Sequence, residues 1–213
     1  DFLEGLERTT YDMRAHQALK HSPIVAKNLG FVFMDDASIA FVRTNRLSYG
    51  YGLYWPRSVY GRLVEELAAQ GARSVALDVI FDGLRPDHPS VRMADDNYLE
   101  SDDFFALQLR RAGNVILAVP QDLTPPPLFL TNALARGDIS THKDAFDGKL
   151  RRAQAFRISR KWHFAFRQLE VDPEFGVDLR LARVESGQVI LPRSGADDIN
   201  VPLPKTMLYE GEN

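Results

Sequence analysis

Two apolar stretches that lack polar alternation, Ser74–Phe81 (SVALDVIF) and Asn114–Val119 (NVILAV), stand on either side of a helical stretch. A strand covered on both faces loses the in-out alternation of a half-exposed one, so both stretches belong in the middle of a sheet. A helix between two such strands makes a crossover, and a crossover of this kind makes the strands parallel and its hand right-handed. The intervening Ser101–Gly113 (SDDFFALQLRRAG) carries the expected punctuation: Ser101 as cap, Asp102 and Asp103 in the first turn, Arg110 and Arg111 in the last, and Gly113 as the stop. Its charges complement the helix dipole.

A third apolar run, Phe31–Asp36 (FVFMDD), comes earlier and is followed by Pro56–Gly71 (PRSVYGRLVEELAAQG). There Tyr60, Leu63, Val64, Leu67 and Ala68 recur at helical spacing, with Gly71 as the C-terminal stop. The pattern from Phe31 to Val119 therefore predicts strand, helix, strand, helix, strand. The fold class expected is α/β, a central, largely parallel sheet with flanking helices.

After Pro120 the texture changes. A proline-rich joint (PQDLTPPPLFL) leads to two hairpin signals, Asp147-Gly148 and Ser186-Gly187, with a helix around Trp162–Val171 between them. The second half is expected to be α+β and rich in β-hairpins. At 213 residues the chain is long enough to bury a substantial core. It is expected to be one domain, with a lead-in helix over 1–30, a parallel core over 31–120 and a hairpin-rich part over 121–213.

Charge narrows the function. Lys and Arg number 26 against 29 Asp and Glu, so no general field draws the chain to nucleic acid or to an anionic membrane surface. With no cysteine, disulfides and thiolate metal sites are excluded. The chain begins at Asp1 without methionine, signal peptide or a run near the roughly 20 apolar residues of a membrane span, and it reads as a segment of something longer.

In a parallel sheet, ligands bind outside the carboxyl ends of the strands. Asp35, Asp36 and Asp82 map to that rim, with Asp78 just below it and Trp55 and Arg57 at the start of the first crossover helix. Acid, guanidinium and indole would share one crevice. Two readings stay open: a sensing or binding rim, or an internal ion pair in which Arg57 neutralises Asp78 or Asp36. Adjacent carboxylates also suit magnesium or calcium in type, but no spacing is diagnostic and no metal is assigned.

An acidic pair after one strand and an aspartate ending another also resemble a response-regulator receiver. The stretch NVILAVPQ lacks the small hydroxyl residue that such a domain requires next, and no lysine follows at the phosphoryl-contacting place. His16, His21, His88, His142 and His163 show no metal-pair spacing and are expected to face solvent or bond locally. There is no GxSxG elbow, P-loop or GxGxxG, so neither catalysis nor a cofactor is expected. The basic Lys149–Lys161 alternates as a strand with Leu150, Arg152, Phe156 and Ile158 on one face, which suits a solvated strand better than an anion site.

Taken in order, several strings resemble the second type of CHASE domain, an extracellular sensory module associated with cyclases and histidine kinases. They are RTTYDMR (Arg8–Arg14), FVFMDDASIA, YGLYWPRSVYGRLVEELAAQGARSVALDVIFD, DDFFALQLRRAGNVILAV, LFLTNALARGDIS, DAFDGKLRR and the closing MLYEGEN. The resemblance implies a periplasmic or extracellular segment of a bacterial membrane receptor, with a transmembrane helix before Asp1 and several after Asn213. Its output would be a cytoplasmic adenylate or guanylate cyclase or a histidine kinase, and its signal a small molecule or a protein. A homodimer is left open, as is a purely structural or dimerising ectodomain. Arg85–Glu100 is longer and more polar than the family pattern, so no rim contact is carried onto it.

Overall fold

The computed structural model of the protein describes residues 2–18, 20, 28–44, 55–120, 122–143, 147–148, 150–152, 156–157, 161–185 and 188–202. The chain divides into two compact units, Asp1–Ser48 and Tyr49–Asn213.

The first unit contains α1 (Phe2–Ala18) and α2 (Asp36–Thr44). The lead-in helix is thus present. The strand expected at Phe31 is not: among the described residues Phe31–Asp35 joins no ladder, and α2 starts directly after it. Local polar chemistry accounts for the change. Asp35 Oδ1 accepts from the Ser38 backbone N–H at 2.8 Å and from its hydroxyl at 2.5 Å, and the Asp35 carbonyl accepts from Ile39 N–H at 3.0 Å. An aspartate that satisfies the orphan donors of a first turn makes a helix start, and an apolar run without a pairing partner does not make a strand.

The second unit begins with α3 (Arg57–Ala69) and β1 (Val75–Leu77), followed by the short pair β2 (Val91–Arg92) and β3 (Tyr98–Leu99). Next come α4 (Ser101–Ala112), β4 (Val115–Val119), α5 (Pro127–Leu130) and β5 (Ala135–Asp138). Strands β1, β4 and β5 form a parallel sheet in that order, with Val75 opposite Val115 and Ile116 opposite Ala135. Helices α3 and α4 lie where the periodicity predicts, but without a strand at Phe31 it is α4, between β1 and β4, that serves as a crossover. Gly113 ends α4 in the left-handed conformation at φ 65°. The third parallel strand, however, is Ala-Arg-Gly-Asp at β5. It carries no apolar run, so hydrophobic patterning has nothing to detect.

The hairpins follow. Strands β6 (His142–Lys143) and β7 (Leu150–Arg152) pair around Asp147-Gly148, with Gly148 at φ 70°. Then come β8 (Phe156–Arg157), β9 (Lys161–Trp162) and α6 (Phe164–Val171). Strands β10 (Arg183–Glu185), β11 (Gln188–Leu191) and β12 (Ile199–Pro202) make an antiparallel sheet. The turn Ser186-Gly187 and the side chains of the basic strand lie outside the described residues. The fold is mixed α/β with a parallel sheet, flanking helices and antiparallel hairpins.

Each face of the parallel sheet has its own cover. Tyr60 and Val64 of α3 and Phe105 and Leu109 of α4 pack on Val75, Leu77, Val115 and Leu117, with Phe81 and Phe129 closing an aromatic cluster. Helix α6 packs against β5, β4 and β1. All five residues of β4 are buried, which is why its sequence shows no alternation. Two glycines set the approach of the layers. A Cβ at Gly61 would come within 2.8 Å of the Phe104 ring, and one at Gly137 within 2.5 Å of Phe164 Cα. A second core joins Trp162, Val177, Leu179, Val189 and Leu191 to Phe166 and Leu169 of α6.

Because the obstacle at Gly137 is backbone, the substitution Gly137→Ala forces α6 away from β5. It is expected to lower unfolding free energy by roughly 1–3 kcal/mol, the usual effect of overpacking. Gly83→Ala, which meets nothing within 4 Å, is the control and is expected to stay within about 0.5 kcal/mol of the parent in urea titration.

Candidate functional site

Helix α3 leads into β1 and α4 links β1 to β4, so both helices start at the carboxyl end of the parallel sheet. Helix α6 starts there too, because its N-cap His163 forms a bridge with Asp138 at the end of β5. Three positive dipole ends therefore converge on one rim, and carboxylates gather where such ends meet. This is a physical account of the acid in and after the strand SVALDVIF.

Arg57 is the centre of the rim. Its residue is only 4% exposed, and its guanidinium lies 4.8 Å above the Phe81 ring, donates through Nη2 to the Gly83 carbonyl at 3.2 Å and faces Asp102. The Arg57 Nε to Asp102 Oδ1 separation is 3.8 Å, an ion pair but too long for a hydrogen bond, and both atoms are buried without a hydrogen-bond partner. Burial pulls the Arg57 pKa below the ordinary guanidinium value, and the Asp102 charge opposes that shift.

The backbone of α3 is satisfied from outside the helix. Its N-cap is Pro56, whose side chain makes no cap hydrogen bond. Arg57 N–H donates instead to His88 Nδ1 at 3.3 Å, and Ser58 N–H to the Ser101 hydroxyl at 2.8 Å. Ser101 is therefore not the cap of its own helix, a place taken by Glu100 without a side-chain bond; it serves the neighbouring one. Asp102 Oδ2 accepts from Arg85 N–H at 2.6 Å, and Arg85 forms a bidentate pair with Asp87 at 2.9 and 2.8 Å. That pair draws the Asp87 carboxyl down to about 2.

Of the rim residues expected from sequence, Arg57 and Asp82 share this cluster: Asp82 is exposed but close enough to favour the charged forms of Arg57 and Arg85. Trp55 packs beside Tyr60 at 6.5 Å between ring centroids, with its Nε1 buried and unpartnered. Asp78 is exposed and lies toward the other helix start, acting with Asp138 on His163. His163 Nδ1 accepts from Ala165 N–H at 3.3 Å, and burial, against those two charges, lowers its pKa. Asp35 and Asp36 belong to the first unit, at the cap and first turn of α2. Within the second unit Arg57 thus pairs with Asp102 and not with Asp78.

Sequence reasoning missed Asp102, Ser101, Arg85, His88 and Asp138 as rim residues. Ser101 and Asp102 read as parts of their own helix, and His88, expected near solvent or in a local bond, is only 3% exposed and bonds across 31 residues. The usable signal was Pro56: a proline at an N-cap offers no acceptor, so an outside group has to supply one. Among the described residues no three His, Asp or Glu side chains group as metal ligands, and no helix is long and apolar enough to cross a membrane.

A family model described as CHASE2 domain matches residues 1–208. The chain belongs to the CHASE2 domain family. CHASE2 domains are extracellular sensory domains and not catalytic ones, so the rim of this CHASE2 domain belongs to a sensory module. No curated protein and no solved structure matches the chain.

Removing one partner of the buried pair leaves the other charge uncompensated. Asp102→Leu is expected to lower unfolding free energy by about 3–5 kcal/mol. The double variant Arg57→Met with Asp102→Leu is expected to lose less than the sum of the two single changes, as a double-mutant cycle in urea would register.

Proposed function

We propose that this CHASE2 domain is the periplasmic or extracellular signal-input segment of a bacterial membrane receptor. In this reading transmembrane helices flank it, and it regulates a cytoplasmic adenylate or guanylate cyclase or a histidine kinase. The observation that supports it is the CHASE2 match over residues 1–208, and what points to the carboxyl end of the sheet as the sensing place is a set of buried polar atoms without hydrogen-bond partners there: Trp55 Nε1, Arg57 Nε and Asp102 Oδ1. A buried polar group left unpaired costs roughly 1–3 kcal/mol, so any occupant or rearrangement that pairs these atoms gains that energy. A sensor works through such a difference between two states.

Within the second unit the proposed sensing groups are Trp55, Arg57, Asp78 and Asp82; Asp35 and Asp36 are a separate proposal in the first unit. The signal is a small polar molecule or a protein. One observation favours the rival structural or dimerising ectodomain for part of the set. The guanidinium of Arg57 is enclosed by the chain's own Phe81, Gly83 and Asp102, so its first duty is to hold the rim together. Asp78 and Asp82 are the groups that meet solvent.

The test is made in the full receptor. Asp78→Asn with Asp82→Asn is expected to change nucleotide-cyclase or kinase output by severalfold, while the melting temperature stays put because exposed substitutions move stability by less than about 0.5 kcal/mol. Unchanged output at unchanged stability would assign the rim to structure alone.

A further inference from the structure

The segment Gly83–Ser90 is tied across the starts of α3 and α4 by four polar links. Gly83 O accepts from Arg57 Nη2, Arg85 N–H donates to Asp102 Oδ2, His88 Nδ1 accepts from Arg57 N–H, and the Ser90 hydroxyl bonds Glu100 at 3.0 Å. Three of these links are made by a guanidinium, a carboxylate or a backbone group, and the fourth is made by an imidazole. Imidazole accepts at Nδ1 only while that nitrogen carries no proton, and the proton must then sit on Nε2. The donor opposite is a backbone N–H held by the helix, which has no way to reverse its role.

We propose that His88 is a proton-operated latch: protonation at Nδ1 ends its acceptance from Arg57 N–H and releases the Gly83–Ser90 segment from the start of α3. Charged groups act on the imidazole from both helix starts and from its own segment. Arg57 faces it from α3, Asp102 from α4, and Arg85 and Asp87 from its own segment. The arginines oppose a further positive charge and the aspartates favour one, and each aspartate is already engaged by an arginine. Burial dominates this balance and lowers the His88 pKa from its ordinary 6.5. The sign follows from linkage. The unfolded chain binds the proton more readily than the folded one, so stability rises with pH between the lowered folded value and 6.5, and falls as pH drops through that window. One proton changes the folding constant by at most about tenfold per pH unit.

Chemically the latch would make the rim responsive to external acidity, at a residue within Arg85–Glu100. Its use as a signal rests on the sensory reading above, whereas the latch itself is read on the 213-residue chain without any output domain.

The test has two arms. In nitrogen-15 NMR of the intact chain, His88 is expected as the Nε2–H tautomer with a pKa below 6.5; an Nδ1–H tautomer or a pKa at or above 6.5 overturns the proposal. In the second arm, His88→Asn places a non-titrating oxygen where Nδ1 accepts. Amide exchange at Arg57, corrected for its intrinsic pH dependence, is expected to rise up to tenfold per unit as pH falls from 6.5 toward the folded pKa in the parent and to stay flat in His88→Asn. An equal rise in both, or none in the parent, overturns it. A working latch beside an output indifferent to pH would leave the latch standing and remove its signalling use.

Discussion

An arginine enclosed by its own protein organises this rim. Removing a guanidinium from water is unfavourable unless other groups replace the water, and around Arg57 the replacements come from three directions: the face of Phe81, the carbonyl of Gly83 and the carboxylate of Asp102. Phe81 and Gly83 follow β1, and Asp102 belongs to the first turn of α4. The position of one side chain therefore ties together the start of α3, the exit from β1 and the start of α4. The same residue's N–H engages His88, so its backbone and side chain grip the same following segment.

Beneath this polar lid the architecture rests on a different kind of force. The aromatic cluster of Tyr60, Phe81, Phe105 and Phe129 packs in tilted and edge-on contacts at centroid distances of 4.9 to 6.4 Å, the geometry aromatic rings prefer. Such a core loses heavily when any ring is withdrawn. Phe81 belongs to both systems, packed among the other aromatics and lying under the Arg57 guanidinium. It is the mechanical joint between the rigid layer and the polar one.

Periodicity and punctuation made α3, α4 and β4 legible, because each carries its own instructions: an apolar stripe, a glycine stop, a run without alternation. The same logic failed at both outer strands, in opposite ways. Phe31–Met34 has the composition of a core strand but joins no ladder, since strand formation depends on a partner that local sequence does not specify. Ala135–Asp138 has no apolar signature yet forms the edge of the sheet, because Gly137 is needed for the approach of Phe164 and not for burial of its own. At the rim, Arg57 and Asp82 were legible as strand-end and helix-start chemistry. Asp102 was hidden by an equally good local explanation, the complement of its own helix dipole, and it performs both duties at once.

The distribution of forces also says which part of the second unit can change state. Segments held by a few hydrogen bonds at the surface open at lower free energy than those held by a packed core. Gly83–Ser90 lies outside the packed core but is joined by hydrogen bonds to the starts of two helices, so its departure would leave Arg57 N–H without its His88 acceptor and the Asp102 carboxylate without the Arg85 donor. Those groups would then need new partners, such as water, a solute or the exposed Asp82. Because a buried donor or acceptor left unpaired costs roughly 1–3 kcal/mol, an opened state in which these groups find new partners is favoured over one that leaves them bare. A scaffold that keeps its core while exchanging partners at one end meets the physical requirement for converting an external event into a shift between two forms.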